Sequence, residues 1–532
     1  MSRKKKRWLI AISVSLLVIV VALSVAAFLL GRRFQPFIRQ QAIDYLSERF
    51  NSDVELRSLR VHMPRTSPLR LLLTRGRGAI ARVEGQGISM RLKGRKDAPP
   101  IFAMKKFRFD VDLGKLFDTP RIVRQVTLDG MQINVPPKGQ RPESKRTAEE
   151  SSGAENSAKP SVIIEDVIIR DAQLVLLPKD PKKIPLRFDI HQLHLQSAGI
   201  GTAMQYQARL TNAKPPGEID STGRFGPWVA REPGDSPLDG TFRFEKADLG
   251  VFSSIAGILN ATGRFAGTLD SIDASGQAKV PDFRLKMAGN PVPLSTRFEV
   301  RVDGTNGNTI LKPVIARLGS TDFTTSGGVI KHEGDQRRAI SLDVLMPRGE
   351  LRDLLRLAMK GTPFMEGRVF LKTRIDIPPL TGKVREKLRL DGRFTVSEGK
   401  FLRSTIQDQI DRLSRRGQGE PGNQEIDEVV SRMQGRFKLE NQVITFRSLS
   451  FGVPGADINL AGSYDMDRDI VDFHGALKLQ ARVSQTMTGW KRWALKPADP
   501  FFAKHGAGTF LRIKVEGDSG SPKFGLDRGH KR

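Results

Sequence analysis

Between Lys106 and Leu113 every second residue is apolar. Phe107, Phe109, Val111 and Leu113 interleave with Lys106, Arg108, Asp110 and Asp112. In an extended strand successive side chains point to opposite faces, so this spelling makes one face hydrocarbon and the other charged. A helix would scatter both sets around its circumference. Strands of that kind belong to antiparallel sheets with one face covered and one in water. Leu186, Phe188 and Ile190 repeat the pattern. The chain is therefore read as mainly β.

The same strands are written more than once. IDSTGRF at 219–225 returns as LNATGRF at 259–265, and Gly-Arg-Phe recurs at 392–394 and 435–437. The 50 Gly, 87 Lys+Arg and 29 Phe of the 532 residues would place Gly-basic-Phe by chance about 0.5 times, so four copies are a repeat. VTLDGMQINVPPK at 126–138 aligns with VIIRDAQLVLLPK at 167–179, an offset of 41. In both, the alternation slips phase midway, at Gly130 and at Asp171, as a bulge or bend in a long strand requires. ARLGSTDFTTSGGVI at 316–330 is echoed by SLSFGVPGADINLAGSY at 448–464. The repeated unit is a strand pair. Spacings of 40, 129 and 43 between the Gly-Arg-Phe copies exclude a solenoid with identical rungs.

Period two puts Ile219, Ser221, Gly223 and Phe225 on one face, and Leu259, Ala261, Gly263 and Phe265 likewise in the second copy, with Arg224 and Arg264 on the other. Glycine inside a strand weakens it unless the sheet bends or something approaches its backbone closely, and a sheet curled into a trough needs both. Helices are minor. One is expected at 351–358, and Ile406, Ile410 and Leu413, then Ile426, Val429, Val430 and Met433, predict two amphipathic helices joined by the Gly/Pro loop 417–422, all capping or buttressing the sheet. Residues 137–160, PKGQRPESKRTAEESSGAENSAKP, lack large apolar side chains and read as a disordered linker.

The N-terminus fixes the expected compartment. Arg3, Lys4, Lys5, Lys6 and Arg7 form a basic stub, 1–7, before an uncharged run at 8–30. A helix of that length reaches about 35 Å, enough to span a bilayer. The basic stub outweighs Arg32 and Arg33 beyond the run, which orients the N-terminus to the cytoplasm and the bulk of the chain outside. A cleavable signal peptide cut near Ala26 or Ala27 is the competing reading, but its apolar core spans only about 7–15 residues. The chain has no cysteine, which removes disulfides, thiolate metal sites and cysteine nucleophiles together. A net charge of +29 suggests nucleic acid in a cytosolic protein; for a chain exported past a membrane, with +13 concentrated in 31–141, it points to anionic headgroups or to a solvated basic face.

Three imitations of catalytic or metal motifs lead nowhere. GDSGSP at 517–522 resembles a serine-protease nucleophile loop, yet only 13 residues follow Ser519, too few to complete such a fold. Asp465, Asp467 and Asp469 start like a calcium loop, but Ile470 stands where glycine is required and Ala476 where glutamate is. His191 and His194 sit three apart, on opposite faces of a strand, and cannot share a metal without a bulge. No phosphate loop or nucleophile elbow occurs. The expectation is a protein that is not an enzyme and uses no cofactor or metal.

The anchor followed by AIDYLSERFNSDVELRSLRV at 42–61, VTLDGMQINVPPK after FRFDVDLGKLF, and the closing block from MQGRFKLENQVITFRSLSF through VPGADINLAGSYDMD to GAGTFLRIKVEGDSGSPKFGLD make the chain resemble the AsmA family, within the AsmA/TamB/YhdP-like bridge-like lipid-transfer proteins. The resemblance runs through nearly the whole chain. It implies a transmembrane helix at 8–30 and a long antiparallel sheet curled into an open, repeating β-groove, with 31–136 before the linker and 161–532 after it. It also implies an inner-membrane protein whose bulk is periplasmic and which conducts phospholipids toward the outer membrane without catalysis. The chain is short for a bridge, so a periplasmic or outer-membrane protein would complete it, and nucleic acid is not an expected partner. Phe107, Phe109, Val111, Phe225 and Phe265 are the candidates for contact with acyl chains. The competing function is a scaffold for outer-membrane protein assembly, adding strands at exposed sheet edges.

Overall fold

The computed structural model describes residues 39–48 in part, 52–62, 79–93, 99–112, 121–135, 162–177, 184–199, 203–227 and, with short breaks, 229–527. The expected stub (1–7), transmembrane helix (8–30) and linker (137–160) lie outside the described residues. Among the described residues no helix is long and apolar enough to cross a membrane. The chain is mainly β. Of 25 described strands, 23 belong to one sheet and two form a pair of their own.

The chain divides into two compact units. The first runs to Val251 and adds Leu259–Gly276 and Arg301–Gly307; the rest of the chain is the second. The first unit opens with β1 (Ser52–His62), β2 (Ile80–Leu92), β3 (Phe102–Asp112), β4 (Arg121–Val135) and β5 (Val162–Leu176). It continues with β6 (Leu186–Gly199), β7 (Met204–Thr211), β8 (Glu218–Phe225) and β9 (Pro237–Asp248). In chain order there follow β10 (Ile255–Ala256), β11 (Ile258–Thr268), β12 (Ser271–Val280), β13 (Arg284–Leu285) and β14 (Leu294–Val302). Of these, β11 belongs to the first unit but for Ile258, β10 and β13 belong to the second, and β12 and β14 cross from one to the other. The pair of its own is β10 with β13, and β9 pairs with β11.

From β1 to β9 each strand pairs with the next, and every pairing is antiparallel except one. β4 and β5 run parallel. This departs from the expected all-antiparallel sheet, and the 41-residue echo explains it. Val126 faces Val167, Leu128 faces Ile169 and Gln132 faces Gln173, so the two copies lie side by side in the register of their own alignment. Gly130 and Asp171, where the alternation slips, both take left-handed backbone, with φ of 64° and 50°. Matched kinks keep the two strands parallel through the bend. A parallel pair needs a crossover of about a dozen residues or more, and the polar stretch 137–160 supplies that length.

The covered face of β1–β5 forms a closed hydrophobic core. Val54, Leu56, Val83, Ile88, Met104, Val126, Leu128 and Ile169 meet there, with Leu46 from a helical stretch in front of β1.

The second unit carries β15 (Thr309–Leu318), β16 (Thr321–Ile330), β17 (Ala339–Glu350), β18 (Met365–Ile377), β19 (Arg389–Phe401) and β20 (Ser431–Glu440). Then follow β21 (Val443–Val453), β22 (Ala456–Asp465), β23 (Ile470–Leu479), β24 (Thr509–Asp518) and β25 (Lys523–Leu526). Each is antiparallel to the next. The third sequence echo is the pair of hairpins β15–β16 and β21–β22, a strand pair as expected.

Helices α1 (Leu351–Ala358), α2 (Val384–Lys387), α3 (Ser404–Gln418), α4 (Trp490–Leu495) and α5 (Asp499–Phe502) interrupt this ladder. α1, α3 and the α4–α5 segment leave from the ends of β17, β19 and β23, which in an antiparallel ladder are the same end. There they cap two small cores. Leu351, Leu354 and Leu355 cover Met346, Met365 and Val396, while Ile410 and Leu413 cover Val453, Ala456 and Leu479. The second expected amphipathic helix does not form. Glu428 takes φ 50°, and the Asp411 carboxylate accepts hydrogen bonds from the backbone N–H of Val429 (3.0 Å) and Glu428 (3.2 Å). Val429 thus packs under α3 from an irregular segment, and Met433 falls in β20.

Candidate functional site

The burial patterns separate two kinds of apolar surface. In β3, Phe107 and Phe109 are 2% and 1% exposed, their rings stacked 6.3 Å apart. Phe107 lies over Gly85 of β2, where an added Cβ would come within 2.0 Å of the ring. Protein encloses both residues, so an acyl chain would have to displace core side chains to touch them. Val111 pairs through its backbone with Ala81 and Val123; its side chain is outside the described residues.

Farther along the first unit the alternation persists, but the apolar side is only half-buried. In β8, Ile219, Ser221, Gly223 and Phe225 share the half-buried face, and Glu218, Asp220, Thr222 and Arg224 the exposed one. In β11 Leu259, Gly263 and Phe265 are likewise half-buried, while Thr262 and Arg264 are exposed. Phe242 of β9, which the sequence reading did not single out, completes the arrangement. Its ring lies 6.4 Å from that of Phe265. A Cβ on Gly263 would sit 2.9 Å from the Phe242 ring, and one on Gly240 would sit 3.0 Å from the Phe265 ring. Each glycine makes the space that the other strand's phenylalanine fills. That exchange is the physical content of Gly-x-Phe: the ring lies across the neighbouring strand instead of standing up from its own.

The second unit uses the same device. Gly392 faces Phe437 and Phe394 faces Gly435 across β19 and β20, so the third and fourth Gly-Arg-Phe copies pair head to tail. The Phe394 ring comes within 3.0 Å of where a Gly435 Cβ would be. Phe446 of β21 and Phe473 of β23 both face Gly462 of β22, and their rings meet 5.8 Å apart. Phe394, Phe437, Phe446 and Phe473 therefore form a continuous aromatic strip, with centroid spacings of 6.2, 6.5 and 5.8 Å. Phe473 is buried and the other three are half-buried. The sequence reading did not single out Phe446 and Phe473; the signal that points to them is Gly462, a glycine inside a strand.

The opposite face is ionic. In the first unit Arg209 Nε lies 2.9 Å from Asp220 and Arg224 Nε 3.1 Å from Asp239, pairs reaching across neighbouring strands. In the second, Arg317 donates to Asp322 at 2.6 Å, and that hydrogen bond lowers the Asp322 pKa from its ordinary value. Such exposed pairs add little to stability, but they keep this face in water. Tyr206 and Ser221 are polar residues on the half-buried side. Burial pushes the Tyr206 phenol pKa up, against the pull of the hydrogen bond to Ser221 at 3.0 Å.

The decoy motifs have structural employment. Ser519 Oγ donates to Asp469 at 2.5 Å, joining the β24–β25 turn to the β22–β23 turn. Asp465 accepts from the N–H of Asp467 and Arg468 at 3.0 Å each, a polar turn. A bulge at His191 leaves that residue beside Thr211, while His194 lies 2.7 Å from Asp166; the two histidines are not brought together. Among the described residues, metal-ligand spacing occurs at Asp472, His474 and Glu516, a solvent-facing cluster. Compared with known proteins, the chain matches no family model, no curated protein and no solved structure.

Proposed function

We propose that this is an inner-membrane-anchored periplasmic protein that holds phospholipid acyl chains along the apolar face of its sheet and lets them diffuse toward the outer membrane. One observation carries the reading: the phenylalanine strip, three of its four rings half-buried and each opposite a glycine in the strand register, beside an opposite face of exposed ion pairs. An apolar face of this length left half in water is costly unless something apolar lies on it, and each methylene laid there gains about 0.8 kcal/mol. Curled into a groove, the sheet would shelter the acyl chains and leave headgroups in water at the open edge. Transfer needs no nucleotide, metal or catalytic group. The lipid-facing set is Phe225 and Phe265 with Phe242 in the first unit, and Phe394, Phe437 and Phe446 in the second. The anchor at 8–30 and the likeness to the AsmA family belong to the same proposal.

The test is mass spectrometry of lipids that co-purify with the full chain, comparing it with Phe446→Asp. Phospholipid held by the parent and lost from a folded variant supports the proposal; equal lipid in both contradicts it. A second reading, a scaffold for outer-membrane protein assembly, is favoured by β25. All four of its residues are exposed, including Phe524 and Leu526, as a strand offered for further pairing would be. Crosslinking from Phe524 to a protein, with no lipid on the sheet face, would move the conclusion there.

A further inference from the structure

Most connections in the second unit's ladder are short, but the one from β23 to β24 runs through residues 480–508 and holds α4 and α5. Its inner side is well built. The Asp499 carboxylate, 8% exposed, accepts from Ser484 N–H at 2.8 Å and Ser484 Oγ–H at 2.7 Å, and Ala481 N–H donates to the Gly417 carbonyl of α3 at 2.8 Å. Its outer side is unusual. Trp490 and Trp493, one turn apart on α4, are 76% and 72% exposed, and Phe501 of α5 is 78% exposed. Two of the chain's four tryptophans thus point into solvent from a segment that is otherwise anchored. Arg482, Lys491, Arg492 and Lys496 are exposed around them, and Lys496 Nζ lies 4.0 Å over the Trp493 ring. The one carboxylate of residues 481–503 is Asp499, which is buried and hydrogen-bonded inward. The outer side therefore combines amphipathic rings with an excess of positive charge, four exposed cations to one buried carboxylate.

We propose that the α4–α5 segment docks the capped end of the sheet on an anionic bilayer surface. Indole rings partition to the boundary between headgroups and acyl chains, and lysine and arginine beside them gain from the negative surface potential. An acidic protein surface would satisfy the cations but would leave two indoles and a phenyl ring without hydrocarbon to enter. The inference stands apart from the lipid-carrying reading: a sheet that holds no lipid could still dock this way, and the experiment reads the segment alone.

The full chain carrying Trp8→Phe and Trp228→Phe emits only from Trp490 and Trp493. Vesicles of phosphatidylcholine with brominated phosphatidylglycerol should shift that emission to the blue and quench it. Lys491→Glu/Arg492→Glu/Lys496→Glu in the same background, which alters only exposed side chains, should weaken the response about tenfold or more, as should high salt. Emission indifferent to the vesicles would overturn the proposal, as would equal quenching by neutral brominated phosphatidylcholine in the charge-reversed chain. Emission already blue-shifted without lipid, and moving to the red on dilution, would assign the face to a second copy of the chain instead.

Discussion

Phe107→Asp and Phe265→Asp make the same chemical change at two places in one unit, and the structure assigns them different consequences. Phe107 is 2% exposed, stacked on Phe109 and laid against Gly85. Removing such a ring costs about 3–5 kcal/mol, transfer and cavity together. A carboxylate left among Val83, Phe109 and Leu128 adds several kcal/mol or takes up a proton. That total rivals the roughly 5–15 kcal/mol that holds a domain together, so the β1–β5 core should open. Phe265 touches Phe242 on a face that is half in water. Its loss removes part of one ring's burial, about 1–2 kcal/mol, and the new carboxylate can turn to solvent. Hydrogen-exchange mass spectrometry on the full chain separates the cases. Phe107→Asp should lose protection throughout β1–β5, while Phe265→Asp should keep protection there and in β7–β9 yet lose bound phospholipid. If Phe265→Asp abolishes protection as thoroughly as Phe107→Asp, the half-buried face is a closed core in solution and the argument from exposure fails.

Asp411→Ala removes the acceptor for Val429 N–H, Glu428 N–H and the Gln407 amide, and should cost about 3 kcal/mol, read as faster exchange at 426–431 and release of α3. His474 is flanked by Asp527, whose hydrogen bond is the largest influence raising its pKa above 6.5, and by Asp472. A raised pKa stabilises the folded state below the ordinary imidazole value and loses that contribution as pH climbs through the folded one. Protection of β25 should therefore be greater at pH 5.5 than at pH 8, and His474→Gln should flatten the difference. A reporter active only in the periplasm, fused after Arg532, should be active in cells; a mature chain beginning near residue 28 would remove the anchor from the account.

The strands were legible because burial is periodic. Alternation at 106–110, the two TGRF faces and the hairpin echo all reappear at their expected places, since side-chain direction in a strand follows from position alone. What alternation could not reveal is what lies opposite a face. Phe107 and Phe265 read alike in sequence, yet one is enclosed and the other half in water, because the first strands and a helical stretch supply a cover that no local pattern encodes. The parallel β4–β5 pair was hidden for a related reason: the 41-residue echo indicated two similar strands, and their direction depends on how the intervening stretch crosses over. Val429 and Val430 carried a helical spacing that lost to tertiary capture, the Asp411 carboxylate taking the N–H groups an N-terminal turn would have presented to water. The exposed tryptophans of α4 were visible as residues, but only the fold shows that they face outward.

Photo-reactive residues placed in the full-length chain in cells, one at a time, test the central claim most directly. Substitution at Phe225, Phe265, Phe437 and Phe446 should give adducts of phospholipid mass, and substitution at the adjacent Arg224, Arg264, Arg436 and Arg447 should give none. Adducts on both faces alike, or protein adducts only on the phenylalanine face, would contradict it.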